Sequence, residues 1–326
     1  MTDSLYKNVS CVVDKWLEVH DGETFDLDTI CRQVDAKDRE TRQYVAIKLA
    51  YEVKKGKLEK LNRLYKCIND SIEYIDWVNA SEKERVPFSW PSGRDGSEFP
   101  FAGKLTVRPT DLIVIAGVSN MGKSGFCKNL IWENMDEWNG RITYMVNEYQ
   151  PARFKRSVNL MDWNTPFNSD GTLKFEVIRR DEDWQYAVNP DHLNIIDWVS
   201  MEGDFYRIGK IMKAIQAKLR DGVAVVVTQK GEGKDLGTGG QFGEHFASYY
   251  IAIDFGRLFF KKAKEYHGHN PNNKHYGFDL SEGVYFNNLR EVTPCGQCKA
   301  TGKKWNSKEG KLEICAGCMG SGYFDR

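Results

Sequence analysis

The stretch that most constrains this chain is residues 112–124, Leu-Ile-Val-Ile-Ala-Gly-Val-Ser-Asn-Met-Gly-Lys-Ser. Leu112 to Ala116 are apolar without interruption, which predicts a buried strand. Gly117, Val118, Ser119, Asn120, Met121, Gly122, Lys123 and Ser124 then fit the pattern G-x-x-x-x-G-K-S/T. Glycines let the backbone wrap closely enough for its N–H groups to meet phosphate oxygens. Lys123 supplies a point charge for the β- and γ-phosphates, and Ser124 a hydroxyl for Mg²⁺. From Gly125 onward, Phe126, Leu130 and Ile131 recur at helical spacing, so a helix N-terminus faces the phosphates, where its dipole favours anions. Strand, loop and helix occur in the order that a nucleotide site needs. Residues 117–125 are the expected cradle for ATP and its Mg²⁺.

Beyond the loop, strand and helix patterns alternate. Ile142–Val146 reads as a strand ending at Asn147-Glu148, and Leu193–Asp197 as a strand ending in a carboxylate. A helix over 204–220 carries Ile208, Ile211, Met212, Ile215 and Leu219 on one face and stops at Gly222. Val223–Thr228 is a further apolar strand, followed by Gln229; Tyr249–Asp254 is another, and Leu258–Phe260 begins the next. Strands that are apolar throughout, separated by helices, predict an α/β fold whose mainly parallel sheet is covered on both faces. Ligands of such sheets bind at the C-terminal strand ends, where Ser124, Glu148, Asp197 and Gln229 all fall. Asp197 there holds the Mg²⁺ shell, Glu148 orients or deprotonates the attacking water, and Gln229 senses the γ-phosphate. Glu202 is the competing candidate for the base.

These motifs resemble the RecA-like ATPases, most closely the DnaB-type replicative helicases. The similarity runs over about 100–290 and rests on 112–123, Tyr144-Met-Val-Asn-Glu148, Ile195-Ile-Asp197-Trp, Val226-Val-Thr-Gln229 and Lys262-Ala-Lys264. The resemblance implies nucleotide bound between subunits of a ring or filament, with Lys264 projecting into a neighbour's site. Lys264 stands where an arginine is usual, and lysine cannot grip a phosphate bidentately. The resemblance also implies that Gly231–Gln241, directly after Gln229, is a mobile loop touching single-stranded DNA through Lys230 and Lys234.

Residues 1–69 read as three helices (near 4–19, 27–34 and 38–54) and a hairpin around Leu61-Asn62, which resembles a winged helix-turn-helix. Asp26 and Asp28 are alternative caps for the second helix. Arg39, Arg42 and Gln43 on the third helix, with Lys48, Lys54, Lys55, Lys57, Lys60, Arg63 and Lys66, are the expected contacts to DNA, here duplex. Residues 70–100 are a linker in composition, broken by Pro87, Pro91, Gly93, Gly96 and Pro100, in which Ile72, Tyr74, Ile75, Trp77 and Val78 could form a short apolar element. The ATPase core is expected over 101–292.

At the other end, Cys295-Gly-Gln-Cys298 and Cys315-Ala-Gly-Cys318 form two knuckles whose four thiolates suit tetrahedral Zn²⁺. The second resembles half of a DnaJ-type zinc finger; the first departs from it with Ala300 in place of a glycine. A zinc ribbon is therefore expected over 293–326. Lysines and arginines together number 46 and balance 46 acidic residues, giving a net charge of +0, so nucleic-acid affinity must come from local patches. No apolar run reaches membrane-spanning length and the N-terminus lacks a signal peptide's apolar core, so a cytoplasmic protein is expected. The reading is an ATP-hydrolysing, DNA-acting motor, a helicase or translocase on single-stranded DNA. Two alternatives stay open: an ATP-switched DNA-binding regulator or loader, and a signalling ATPase of the same fold.

Overall fold

The structure, a computed structural model, describes residues 2–20, 22–68, 74–81, 84–147, 150–199, 207–231, 233–307 and 309–325, the side chains of 2–5 and 19 excepted. Glu148, Glu202, Ile72 and Lys308 lie outside the described residues. The chain divides into two compact units, Met1–Ala80 and Ser81–Arg326. Among the described residues no helix is long and apolar enough to cross a membrane.

The first unit runs α1 (Thr2–Val19), β1 (Thr24–Asp26), α2 (Leu27–Gln33), α3 (Arg39–Lys54), β2 (Leu58–Leu61) and β3 (Leu64–Cys67). Asp26 caps α2 by accepting from Thr29 N at 2.7 Å, and Asp38 caps α3 by accepting from Thr41 N at 2.8 Å. The strands form one antiparallel sheet in the order β1-β3-β2. Val13, Phe25, Ile30, Val45, Leu49 and Leu58 make its core. Two of the expected DNA contacts are committed elsewhere. Lys48 is buried and sits 2.7 Å from both Asp14 and Glu52, and Arg42 is paired with Asp28. Arg39, Gln43, Lys54 and Lys57 are exposed. Tyr74, Ile75, Trp77 and Val78 do not pack as an apolar element; all four are exposed.

The second unit contains β4 (Leu112–Gly117), α4 (Lys123–Asn134), β5 (Ile142–Val146), α5 (Pro151–Leu160), β6 (Glu176–Arg179), α6 (Trp184–Ala187), β7 (Leu193–Val199), α7 (Arg207–Lys218), β8 (Val223–Gln229), α8 (Gln241–Phe246) and β9 (Tyr249–Asp254). It continues with β10 (Arg257–Ala263), β11 (Lys274–Ser281), β12 (Tyr285–Pro294), β13 (Lys303–Asn306), β14 (Lys311–Ile314) and β15 (Tyr323–Asp325). Ten strands form one sheet in the order β15-β12-β11-β10-β9-β4-β8-β7-β5-β6. From β9 to β6 the neighbours are parallel; from β9 to β15 they are antiparallel. The expected α/β class with a mainly parallel centre is the one found.

Two layers cover the sheet unequally. On one face α4 and the segment 86–107 bury a core that runs from β5 across to β12 and includes Phe126, Ile195, Ile251, Phe260, Tyr276 and Phe286. On the other face α6 and α7 pack on residues drawn from β4, β5, β6, β7, β8 and β9. Residues 86–100, expected as linker, thus belong to the core with Phe101. Arg94-Asp95 and Pro100-Phe101 lie in turns, and Trp90, Phe99 and Phe101 are almost fully buried. Asn134 accepts from Ser89 N at 2.8 Å, and Trp138 Nε1 donates to Pro87 O at 2.6 Å, which fastens the segment to the α4 side.

Lys48 tests the first unit. Removing it leaves the almost fully buried Glu52 carboxylate without a counter-charge, a change that costs about 3–5 kcal/mol. Lys48→Ala is expected to abolish slow hydrogen exchange in α1 and α3, and Lys48→Met with Glu52→Leu to restore it. Unchanged exchange in Lys48→Ala would show that the pair contributes nothing to stability.

Candidate functional site

The three loop glycines each answer a different steric demand. A Cβ on Gly117 would lie 2.7 Å from Lys123 Cγ, so the lysine stem folds back across a residue with no side chain. Gly122 has φ +97°, which turns the chain into α4. A Cβ on Gly125 would stand 2.4 Å from Gly283 O, where the first turn of α4 meets the loop before β12. Asn120 takes the left-handed conformation at φ +61°. The result is a tight loop in which Lys123 Nζ donates to Val118 O at 2.7 Å. Burial lowers the Lys123 pKa, and nearby Asp197 works against that.

Strand register brings the polar residues together. Gly117 of β4 pairs with Gln229 of β8, and Val146 of β5 with Asp197 of β7, so all four strand ends share one edge. Asp197 is buried, and Tyr144 donates its hydroxyl to Asp197 Oδ2 at 2.6 Å. Asp197 Oδ1 is buried without a hydrogen-bond partner. Burial raises the Asp197 pKa, while the Tyr144 and Ser124 hydroxyls and the Lys123 and Lys128 ammoniums pull it down. A buried carboxylate oxygen lacking a donor, close to a serine hydroxyl, is a hard-oxygen pair that fits Mg²⁺.

These groups open into a pocket of about 450 Å³. Ser119, Lys123, Ser124, Asp197 and Gln229, all singled out in the sequence, line it. Lys128 and Arg153 line it as well and were not singled out in the sequence. Lys128 sits one helical turn beyond Ser124, a charged residue among Phe126, Cys127, Leu130 and Ile131, and that break in the apolar pattern was the available signal. Its Nζ donates to Ser157 Oγ at 2.9 Å, and burial lowers its pKa. Asn147, next to Glu148, donates through Nδ2 to Trp198 O at 3.2 Å. The pocket therefore offers several cations around one buried acid, a balance suited to a polyphosphate with its metal.

Other expected site residues fall elsewhere. Lys264 follows β10 at the end that pairs with the start of β9, the opposite sheet edge from Gly117. It is exposed and remote from its own chain's pocket. Lys230 corrects an expectation: it is buried, with Nζ 2.7 Å from Asp254 Oδ1 and donating to Lys234 O at 2.7 Å, so it is not a free phosphate contact. Lys234 is exposed. The glycine-rich loop is also pinned where mobility was expected. Thr238 donates through N and Oγ1 to Gln229 O at 2.6 and 3.0 Å, and Gly237 N donates to the Tyr250 hydroxyl at 2.7 Å. A Cβ on Gly237 would meet Thr228 Oγ1 at 2.3 Å, so the glycine is what lets the loop lie against β8.

The Sγ atoms of Cys295, Cys298, Cys315 and Cys318 are buried and lie within 4.8 Å of one another. The two knuckles match: Ala300 N and Thr301 N donate to the carbonyls of Cys295 and Cys298, as Gly320 N and Ser321 N do to those of Cys315 and Cys318. Burial alone would raise the Cys318 thiol, but the N–H groups of Gly322 and Gly320 and the neighbouring Cys298 hold it down at about 7. Gly322 N lies 3.2 Å from Cys318 Sγ. Such a closed set of four thiols can hold one tetrahedral zinc. Ala300 occupies φ +66° where the second knuckle has Gly320 at φ +88°. Metal analysis is expected to find one zinc per chain, and Ala300→Gly to relieve about 1 kcal/mol of left-handed strain and slow zinc loss to a chelator. A chain free of zinc after purification without chelators would contradict the assignment.

No protein-family model matches the chain, and no curated protein does. Among solved structures that match is a KaiC-like protein of the hyperthermophilic archaeon Pyrococcus horikoshii, at 15% identity, covering 62% of this chain and 99% of that one, with a TM-score of 0.42.

Proposed function

We propose that this chain is a RecA-like ATPase that acts on DNA as a motor, with nucleotide bound between subunits. The observation that carries the reading is the convergence of Lys123, Ser124, Asp197 and Gln229 on one pocket at the C-terminal edge of the parallel sheet. Lys123 and the loop N–H groups bind the β- and γ-phosphates, and Lys128 and Arg153 add positive potential beside them. Ser124 and Asp197 hold the Mg²⁺, which supplies charge neutralisation at the phosphates. Glu148 takes the proton of the attacking water. Tyr144 fixes Asp197 through its hydrogen bond.

The link to DNA rests on three supports. The first unit has the element order of a winged helix, with Arg39 and Lys54 on α3 and Lys57, Lys60, Arg63 and Lys66 exposed on and beside its hairpin. Gln229 is hydrogen-bonded through its carbonyl to Thr238, so a residue at the pocket is tied to the glycine-rich loop. Lys264 is solvent-exposed at the sheet edge remote from its own pocket, where it serves only a second copy. The exposed Tyr74, Ile75, Trp77 and Val78 favour such an assembly, since contiguous apolar side chains in water mark contact surfaces.

Measuring ATP hydrolysis with and without single-stranded DNA tests the reading, and a forked duplex separates a motor from an ATP-switched loader. Lys123→Ala is expected to abolish turnover. Glu148→Gln is expected to retain ATP and lose roughly 10²–10⁴-fold in rate. Normal turnover in Glu148→Gln would remove it as the base. Lys264→Ala mixed with Lys123→Ala is expected to regain activity, because some interfaces then join an intact loop to an intact lysine. Exchange of subunits without any regained activity would refute the between-subunit site.

A further inference from the structure

Beyond β9 one face of the sheet carries the main core, and the other, the bare face, has no apolar core over it. Arg257, Phe259, His275 and Tyr323 on the bare face are nonetheless half-buried, and Lys262 of β10 is bonded to the Glu244 and His245 carbonyls of α8. Leu258, Phe260, Tyr276, Phe278 and Phe286 fill the core on the covered side. The opposite core, beneath α6 and α7, receives nothing from β10, β11, β12 or β15. An antiparallel sheet commonly turns a polar face to water. This one carries rings. Phe259 and His275, cross-strand partners on β10 and β11, stack with centroids 4.6 Å apart. His275 lies 5.5 Å from the Tyr323 ring of β15, and the Arg257 guanidinium sits 4.9 Å from that ring.

The cations beside these rings are unpaired or crowded. Among the described residues, Arg257 and Lys261 have no carboxylate within ion-pair distance, and Arg257 Nε is buried without a hydrogen-bond partner. Two guanidiniums converge over Gly277, where a Cβ would stand 3.3 Å from Arg290 Cζ and 3.4 Å from Arg257 Nη1. Arg290 is already paired with Asp325 at 2.6 Å, so of the two guanidiniums it is Arg257 that lacks a carboxylate at ion-pair distance and can take an added anion. At the other end of the row, Lys261 and Lys234 flank a groove of about 610 Å³ walled by Gly231, Gly237, Gly239 and Gly240. Asp235 lines it too, and the N–H groups of Gly237 and Gly240 are already bonded, to the Tyr250 hydroxyl and to Gly237 O, so the positive character of the groove comes from the two lysines.

We propose that this bare face binds single-stranded nucleic acid, with bases stacking on Phe259, His275 and Tyr323 and phosphates held by Lys234, Lys261 and Arg257. The inference rests on the DNA-acting reading above and names its binding track. Rings interleaved with unpaired cations match the alternation of base and phosphate along a strand, and a duplex, whose bases are already stacked, cannot use the rings. Lys261 takes the part that buried Lys230 cannot. The track starts at the loop bonded to Gln229 and ends at β15, which follows the second cysteine knuckle, so strand binding and phosphate sensing share one covalently continuous surface.

The test measures binding of fluorescent (dT)30, (U)30 and a 30-base-pair duplex to the full chain across a salt series. Wild type is expected to prefer both single strands. Phe259→Ala and Tyr323→Ala are each expected to weaken binding roughly 5- to 150-fold, with Phe259→Trp restoring it. Lys261→Gln is expected to reduce the salt slope by about 0.7, one phosphate contact. DNA-free ATP hydrolysis is expected to stay unchanged in Phe259→Ala while its stimulation by (dT)30 falls. Because a substitution on a sheet can disturb folding, the wild-type chain is also photo-crosslinked to an iodouracil oligonucleotide, with adducts expected on Phe259, His275 or Tyr323. Tight (dT)30 binding that survives both alanine substitutions, or adducts confined to other surfaces, overturns the track while leaving the DNA-acting reading intact. Absence of any nucleic-acid binding by wild type overturns both.

Discussion

A buried carboxylate governs this molecule. Asp197 is carried to the bottom of a pocket by a strand whose other residues are apolar apart from Asn194, and only one of its oxygens has a hydrogen-bond donor. An acid in that position is costly unless charge of the opposite sign surrounds it. The cations are present, yet the loop lysine is bonded to the carbonyl of Val118, and Lys128 to Ser157. Neither ammonium closes an ion pair with the acid. The sheet edge therefore carries separated charges of both signs, and a metal–polyphosphate complex neutralises both at once. The phosphate loop, the strand order and the placement of α4 all serve to keep that separation.

Much of this was legible in the sequence because the signal was local. β4, β8 and β9 are unbroken apolar runs, and α3 has its period written in Val45 and Leu49. The loop glycines fall where close approach demands them. What escaped were features created only by tertiary placement. Residues 86–100 are rich in proline and glycine and read as a connector, but their Trp90 and Phe99, with Phe101 beyond them, are almost fully buried. Lys230 sits beside a glycine-rich loop and reads as exposed; its partner Asp254 ends a strand that no local pattern brings near it. Lys48 reads as a basic residue on a helix face, although Glu52 one turn on and Asp14 on another helix enclose it.

The cysteine cluster also has a wider reach than a separate ribbon would. β15 leaves the second knuckle and pairs with β12 through Val292, Thr293 and Pro294, so the four thiols anchor both ends of the loop that adds the last strand to the main sheet. Edge strands expose unpaired N–H and C=O groups and invite unwanted pairing. β15, only three residues long and held in place by the cysteine cluster, becomes the edge strand and offers little to pair with. It also sets Tyr323 beside His275 and Arg257, which β10 and β11 alone could not do.

The glycine-rich segment then takes on a different character from a flexible connector. Its first residue, Lys230, is locked to Asp254, and Gly237 is held against β8, while Thr238 bonds back to the carbonyl of Gln229. Between those anchors stand Gly231, Gly233 and the exposed Lys234. Lys234 is itself bonded through its backbone, to Lys230 Nζ and Gly231 O, so the loop has few arrangements, and a small displacement of Gln229 acts on its far anchor directly through the Thr238 bonds. Coupling of this kind is reciprocal: whatever biases the loop also biases Gln229. The two lysines of the sequence motif thus differ in kind, Lys230 locked to Asp254 and Lys234 exposed.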